Sequence, residues 1–122
     1  MSLVLVVEDS PLQREMIATL LQNAGFQVVM AGDGVEAIAV FEKTIPHLVV
    51  VDVVMPNMNG YELCRQLKNN DATKHIPIVM CSTKAEEFDR YWGMRQGADA
   101  YVSKPFQPDE LVGIVQGLIK KK

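Results

Sequence analysis

Residues His47–Gly60 read HLVVVDVVMPNMNG, with a single aspartate, Asp52, between Val49–Val51 on one side and Val53–Met55 on the other. An ionised carboxylate in such a run costs free energy unless something is arranged to accept its charge. The valines read as a strand buried on both faces, because no polar residue alternates with them. A strand of that kind needs parallel neighbours and helical cover on each side.

The remaining sequence supplies both. Apolar runs recur roughly every 25 residues, at Leu3–Val7, Gln27–Ala31, Leu48–Asp52, Ile76–Cys81 and Ala100–Val102. Between them lie segments of helical period. Pro11–Asn23 places Leu12, Met16, Ile17, Leu20 and Leu21 on one face, with Pro11 suited to a first turn and Gly25 to a stop. Val35–Lys43 and Tyr61–Asn69 repeat the pattern, and Pro108–Lys120 does so after a proline–acid start. Glu86–Gln96 is the weakest of the five, because Gly93 in a helix interior costs about 1 kcal/mol; a short, frayed or displaced fourth helix is expected. This alternation specifies an α/β domain, a (βα)5 doubly wound, five-stranded parallel sheet with helices on both faces.

The 122 residues suit one domain spanning 1–122, and no output domain is expected after Lys122. A hydrophobic fraction of 48% with 22% charged residues is that of a soluble globular protein. The net charge of −3 and the lack of a basic stripe give no case for nucleic-acid binding, and the terminal lysines read as a solvated tail. Cys64 and Cys81 form no metal or redox spacing and read as reduced structural thiols. No apolar stretch reaches the length of about eighteen residues that a membrane span requires, and the N-terminus has no leader pattern. A cytoplasmic location is expected.

Ligands of such sheets bind beyond the carboxyl ends of the strands. There the sequence places Glu8, Asp9 and Ser10 after the first strand, Asp52 at the end of the third, Ser82, Thr83 and Lys84 after the fourth, and Ser103, Lys104 and Pro105 after the fifth. Gly32–Gly34 after the second reads as a turn. Each residue alone has a bland role as cap, turn or solvated charge; gathered on one edge they do not. Clustered carboxylates need a cation, and an oxygen-only set without His or Cys favours Mg2+. His47 and His75 precede strands and fall at the opposite edge. An aspartate can attack phosphorus, and phosphoryl transfer needs chiefly positioning and positive charge on the equatorial oxygens. A cation on Glu8 and Asp9, the Lys104 ammonium and the Ser82 hydroxyl could each take one oxygen.

With VVEDS, VVVDVVMPNMNG, IVMCST and DAYVSKPF in this order, the whole chain resembles the CheY-like receiver domain of bacterial two-component response regulators. The resemblance implies a phosphoacceptor signalling protein rather than an enzyme acting on a separate substrate. Asp52 would be phosphorylated from a phosphohistidine on a sensor histidine kinase or its phosphotransfer domain. It further implies that Asp9 ligates Mg2+ directly, with Mn2+ able to substitute, that Glu8 acts mainly through water, and that the Val54 main-chain carbonyl and Asp52 complete the set. Lys104 would pair with the phosphoryl group and be joined to Pro105 by a cis peptide. YWGMRQGADAYVSKP is similar, more narrowly, to the stand-alone PilH-like regulators of type IV pilus twitching motility.

Glu8 and Ser82 stand where Asp and Thr are commoner in the family, and Val54 and Lys84 occupy positions that influence hydrolytic water. The implied switch moves Ser82 toward the phosphoryl oxygens and turns Tyr101 inward, altering the surface of the fourth helix, fifth strand and fifth helix toward a protein target. An unphosphorylated monomer is expected. A haloacid-dehalogenase-type phosphatase would want a second acid where Val54 stands and a cap that the chain has no residues to build. A pseudo-receiver would lack one of the key residues, and a flavin site would want a less acidic first turn.

Overall fold

The computed structural model describes residues 2–84 and 86–120; the tail residues Lys121 and Lys122 lie outside them. Among these residues five strands, β1 (Leu3–Val7), β2 (Gln27–Ala31), β3 (Leu48–Val51), β4 (Ile78–Ser82) and β5 (Ala100–Ser103), alternate with five helices. The helices are α1 (Pro11–Asn23), α2 (Gly34–Phe41), α3 (Gly60–Lys68), α4 (Glu87–Arg95) and α5 (Pro108–Lys120). All strand pairs are parallel, in the order β2-β1-β3-β4-β5. This is the flavodoxin/CheY-like (βα)5 arrangement that the periodicity specifies.

Side chains one residue apart in a strand point to opposite faces, and the sheet divides its valines accordingly. Val4, Val6, Val50, Val79 and Val102 pack with Ile17 and Leu21 of α1 and Leu111 and Val115 of α5. On the other face Leu5, Val7, Val49, Val51 and Met80 pack with Ala37 of α2 and Leu63, Cys64 and Leu67 of α3. Each fully buried Val or Leu contributes about 1.5–3 kcal/mol. Every residue of β3 is buried, so this strand is locked at the sheet centre whatever Asp52 costs at its end.

Most boundaries fall where the sequence places them, and the differences have local causes. β3 ends at Val51, with Asp52 just beyond the strand. β4 begins at Ile78, not Ile76, because Pro77 has no N–H for the ladder, although its carbonyl still accepts from Val49 N. Three helices start on side-chain caps: Ser10, Asp33 and Asn59 accept from the N–H groups of Gln13, Glu36 and Glu62. The Asp33 cap starts α2 at Gly34 instead of Val35, so the apparent turn Gly32–Gly34 is a cap. The fourth helix is short, nine residues, as its glycine predicts. It runs regularly over Glu87–Arg95, with Gly93 buried. Both cysteines are free and buried, and burial pushes their thiols up, to about 11 for Cys64 and about 12 for Cys81.

Candidate functional site

Strand order reverses between β1 and β3, so the residues that follow these two strands emerge side by side. Asp52 N donates to Val7 O at 3.1 Å, and Glu8 N donates to Ala31 O at 3.0 Å. Glu8, Asp9 and Asp52 each present a carboxylate oxygen within 4.8 Å of the others. Two carboxylates that close repel by about 3 kcal/mol at an effective dielectric of about 20. The three differ in setting: Glu8 is buried, Asp52 partly so, and Asp9 is exposed.

Lys104 answers this charge from the end of β5. Its ammonium donates to Glu8 Oε1 and to Gln13 Oε1, and lies 3.4 Å from Asp52 Oδ2. Its backbone is tied to β4 through Lys104 N donating to Ser82 O at 2.9 Å, and a cis peptide joins it to Pro105. Burial by itself disfavours the ammonium, but Glu8 and Asp52 outweigh it and hold the lysine above its ordinary range. Burial likewise pushes the Glu8 carboxyl up, against the hydrogen bonds from Lys104 and Ser10 N. Arg14 adds a donor to Glu8 O at 2.9 Å.

Ser82 ends β4 fully buried, and its hydroxyl accepts from Lys84 N at 3.1 Å. Tyr101 is the residue of β5 paired with Met80. It lies inward here, buried, with its phenol donating to Lys84 O. Burial raises its pKa, and the nearby Tyr61 hydroxyl donates to Asp89 O at 3.3 Å. Val54, with 56% of its surface exposed, stands at the mouth of the site, and its N–H reaches Asp52 Oδ1 at 3.4 Å. Glu8, Asp9, Asp52, Val54, Ser82 and Lys104 thus fall at the carboxyl edge of the sheet, with Tyr101 inside β5. His47 is at the other edge, its Nδ1 accepting from Leu3 N at 2.9 Å.

Several contributors escaped the sequence reading. Gln13 is a third ligand of the Lys104 ammonium. Asp33 accepts at 2.7 Å from Nδ2 of Asn57, which itself has φ +68° in the loop after β3. That loop is pinned again at Gly34, where a Cβ would lie 2.7 Å from Met58 Cβ, and at Gly60, whose N–H donates to Val53 O. A Cβ on Gly60 would lie 2.2 Å from Asp52 O. Asp33, read from the sequence as part of a turn, carried a cap signal in its spacing to Glu36; its partner 24 residues on left no signal.

A parallel (βα)5 sheet bearing an acid pair, a third aspartate and a lysine at one edge is the arrangement of a receiver domain. Residues 4–116 match the response regulator receiver domain family, and the chain belongs to it. It is 40% identical over 113 residues to Protein PilG of Pseudomonas aeruginosa, covering 93% of this chain and 84% of that one. Protein PilH of the same organism is 34% identical over 119 residues, covering 98% of each. The chain spans about half the length of longer DNA-binding and transcriptional regulators that it also matches. Among solved structures, the receiver domain of the P. aeruginosa sensor histidine kinase PA1611, with magnesium coordinated in its active-site cleft, superposes with a TM-score of 0.90 at 28% identity, covering 98% of each chain. The protein is therefore the receiver domain of a two-component response regulator, a class that binds Mg2+ at an acidic pocket and interacts with histidine kinases or phosphotransfer partners.

Proposed function

We propose that Asp52 is the phosphoacceptor, and that the chain takes its phosphoryl group from a phosphohistidine of a sensor kinase or phosphotransfer domain. The observation that carries this reading is the Lys104 ammonium held between Glu8 and Asp52 beside the carboxylate cluster. In the transfer the histidine N–P bond breaks and an Asp52 O–P bond forms, with the histidine nitrogen taking up a proton. Lys104 stabilises negative charge on the phosphoryl oxygens and Ser82 offers a hydroxyl to one of them.

Glu8, Asp9, Asp52 and the Val54 carbonyl fit Mg2+, because all are oxygen donors and three of them converge within 4.8 Å. Mn2+ would serve in the same place. When bound, the ion supplies positive charge to the phosphoryl oxygens and relieves the crowding of carboxylates. The donor protein has to cover the mouth of the site. Next to Lys104 lies an apolar groove of about 590 Å³ between α1 and the segment after Pro105, lined by Met16, Leu20 and Phe106 among others. It suits the flank of the phosphohistidine-bearing partner.

The output is contact with another protein through the α4–β5–α5 face; on α4 the exposed Phe88 and Trp92 rings stack at 6.5 Å. Phosphorylation adds close to two negative charges and biases that face between two states. The likeness to PilG and PilH supports a place in type IV pilus or chemotaxis-like signalling. No described helix is long and apolar enough to cross a membrane, which is compatible with a cytoplasmic monomer. The test is intact mass after incubation with acetyl phosphate and Mg2+. One phosphoryl group should add to the native chain and none to Asp52→Asn. A native chain that binds Mg2+ yet shows no adduct even after millisecond quenching would sink the reading.

A further inference from the structure

Gly93 is unfavourable for its helix, yet α4 is regular and Gly93 is buried. The reason lies across the interface with β5. A Cβ built on Gly93 would lie 2.8 Å from Tyr101 Cδ2, 2.9 Å from Tyr101 Cε2 and 2.9 Å from Met80 Sδ. Carbon atoms in contact sit at about 3.5–4.0 Å, so the ring occupies the space that any other residue at 93 would fill. Arg90, one helical turn earlier, closes the seat from above. Its guanidinium lies 5.7 Å from the ring centroid and donates to Tyr101 O at 3.2 Å and to Ser103 Oγ at 3.0 Å. The phenol is held at the far end by Lys84 O.

We propose that Gly93 is a positioning residue for the switch: its missing side chain is the seat of the Tyr101 ring, and this one position of α4 sets the balance between the inward and outward placements of Tyr101. The inference rests on the reading of the chain as a receiver whose output runs through Tyr101. Met80, fully buried and paired with Tyr101 across the ladder, fills the core beside the ring and leaves it no retreat inward. An added methyl therefore drives it out toward solvent. Gly93 gives up helix propensity to keep the inward placement open.

The test is a substitution cycle read without any phosphoryl group. Gly93→Ala in the native background should lower Tm by roughly 5 °C and abolish the nuclear Overhauser effect between the Tyr101 ring and the Met80 methyl. In a Tyr101→Val background most of that loss should disappear, because the two ring contacts are gone and only the flexible Met80 thioether, 2.9 Å from the added Cβ, is left against the gain in helix propensity. In a Tyr101→Phe background the loss should persist, since the ring and not the hydroxyl fills the seat. A loss in the valine background as large as that in the native one overturns the proposal. So does a Tyr101–Met80 effect that survives in Gly93→Ala, which is readable even where the valine variant does not fold. Gly93→Ala should still take a phosphoryl group on Asp52. Absence of the adduct in every variant and in the native chain overturns the phosphoacceptor reading and leaves the seat to be judged by the cycle.

Discussion

The loops that follow β3 and β4 leave neighbouring strands of one sheet and are held in opposite ways. The β3 loop is clamped from several sides. Asn57 is bonded to Asp33, Met58 lies against Gly34, and Gly60 draws the chain back onto Val53. These contacts reach α2 and α3, and none involves a group that transfers phosphate. The β4 loop is held by the site itself: Lys84 N bonds the Ser82 hydroxyl and Lys84 O accepts from Tyr101. A loop pinned to the scaffold keeps Asp52 and the Val54 carbonyl in place. A loop pinned by Ser82 and Tyr101 is free to move when either finds a new partner. On the proposed function, the rigid half would aim and the other half would report.

The contrast can be broken at three strengths. Lys104→Met should have the largest effect on stability, about 3–5 kcal/mol at pH 8, because it leaves the buried Glu8 carboxylate without its ammonium. Glu8 already sits above the usual carboxylate range, so its contribution is intact at low pH and lost as pH rises through that raised value. The deficit of Lys104→Met in urea titrations should therefore shrink as pH falls, and a deficit independent of pH would show that Glu8 stays ionised. Gly60→Ala should cost about 2–3 kcal/mol, since its Cβ meets main-chain atoms that have no rotamer to change. It should also slow formation of the Asp52 adduct, and an unchanged adduct rate would show that the clamp does not aim the acceptor. The smallest effect belongs to Asp33. The N–H of Glu36 and the amide of Asn57 hold its carboxyl below the ordinary range. Its contribution is complete above the unfolded value of about 3.9 and disappears as pH falls through the lower folded value. Acid unfolding of Asp33→Asn should accordingly follow a shallower limb than that of the native chain.

Much of the site was legible because parallel sheets convert sequence into position. Purely apolar runs mark central strands, and whatever follows them arrives at one edge, so Glu8, Asp9, Asp52, Ser82 and Lys104 could be gathered on paper. What escaped was pairwise. Nothing near Asp33 announces that Asn57, in a left-handed turn, will bond its second oxygen. Nothing near Lys104 announces Gln13. Gly93 shows the limit most sharply: read locally it is a flaw in a helix, and read against Tyr101 it is a fitted surface.

By itself the sequence determined the layers, the strand that carries Asp52, the edge where the polar residues collect and the charge that a cation or ammonium must answer. These follow from periodicity and from the cost of burying charge, both of which are local or additive. The tertiary structure alone decided which loop is clamped, that Lys104 spans Glu8 and Asp52, and that Tyr101 lies in the space Gly93 leaves open. Such facts depend on contacts of about 3 Å between distant segments, and no local pattern encodes a fit between surfaces that meet only after folding.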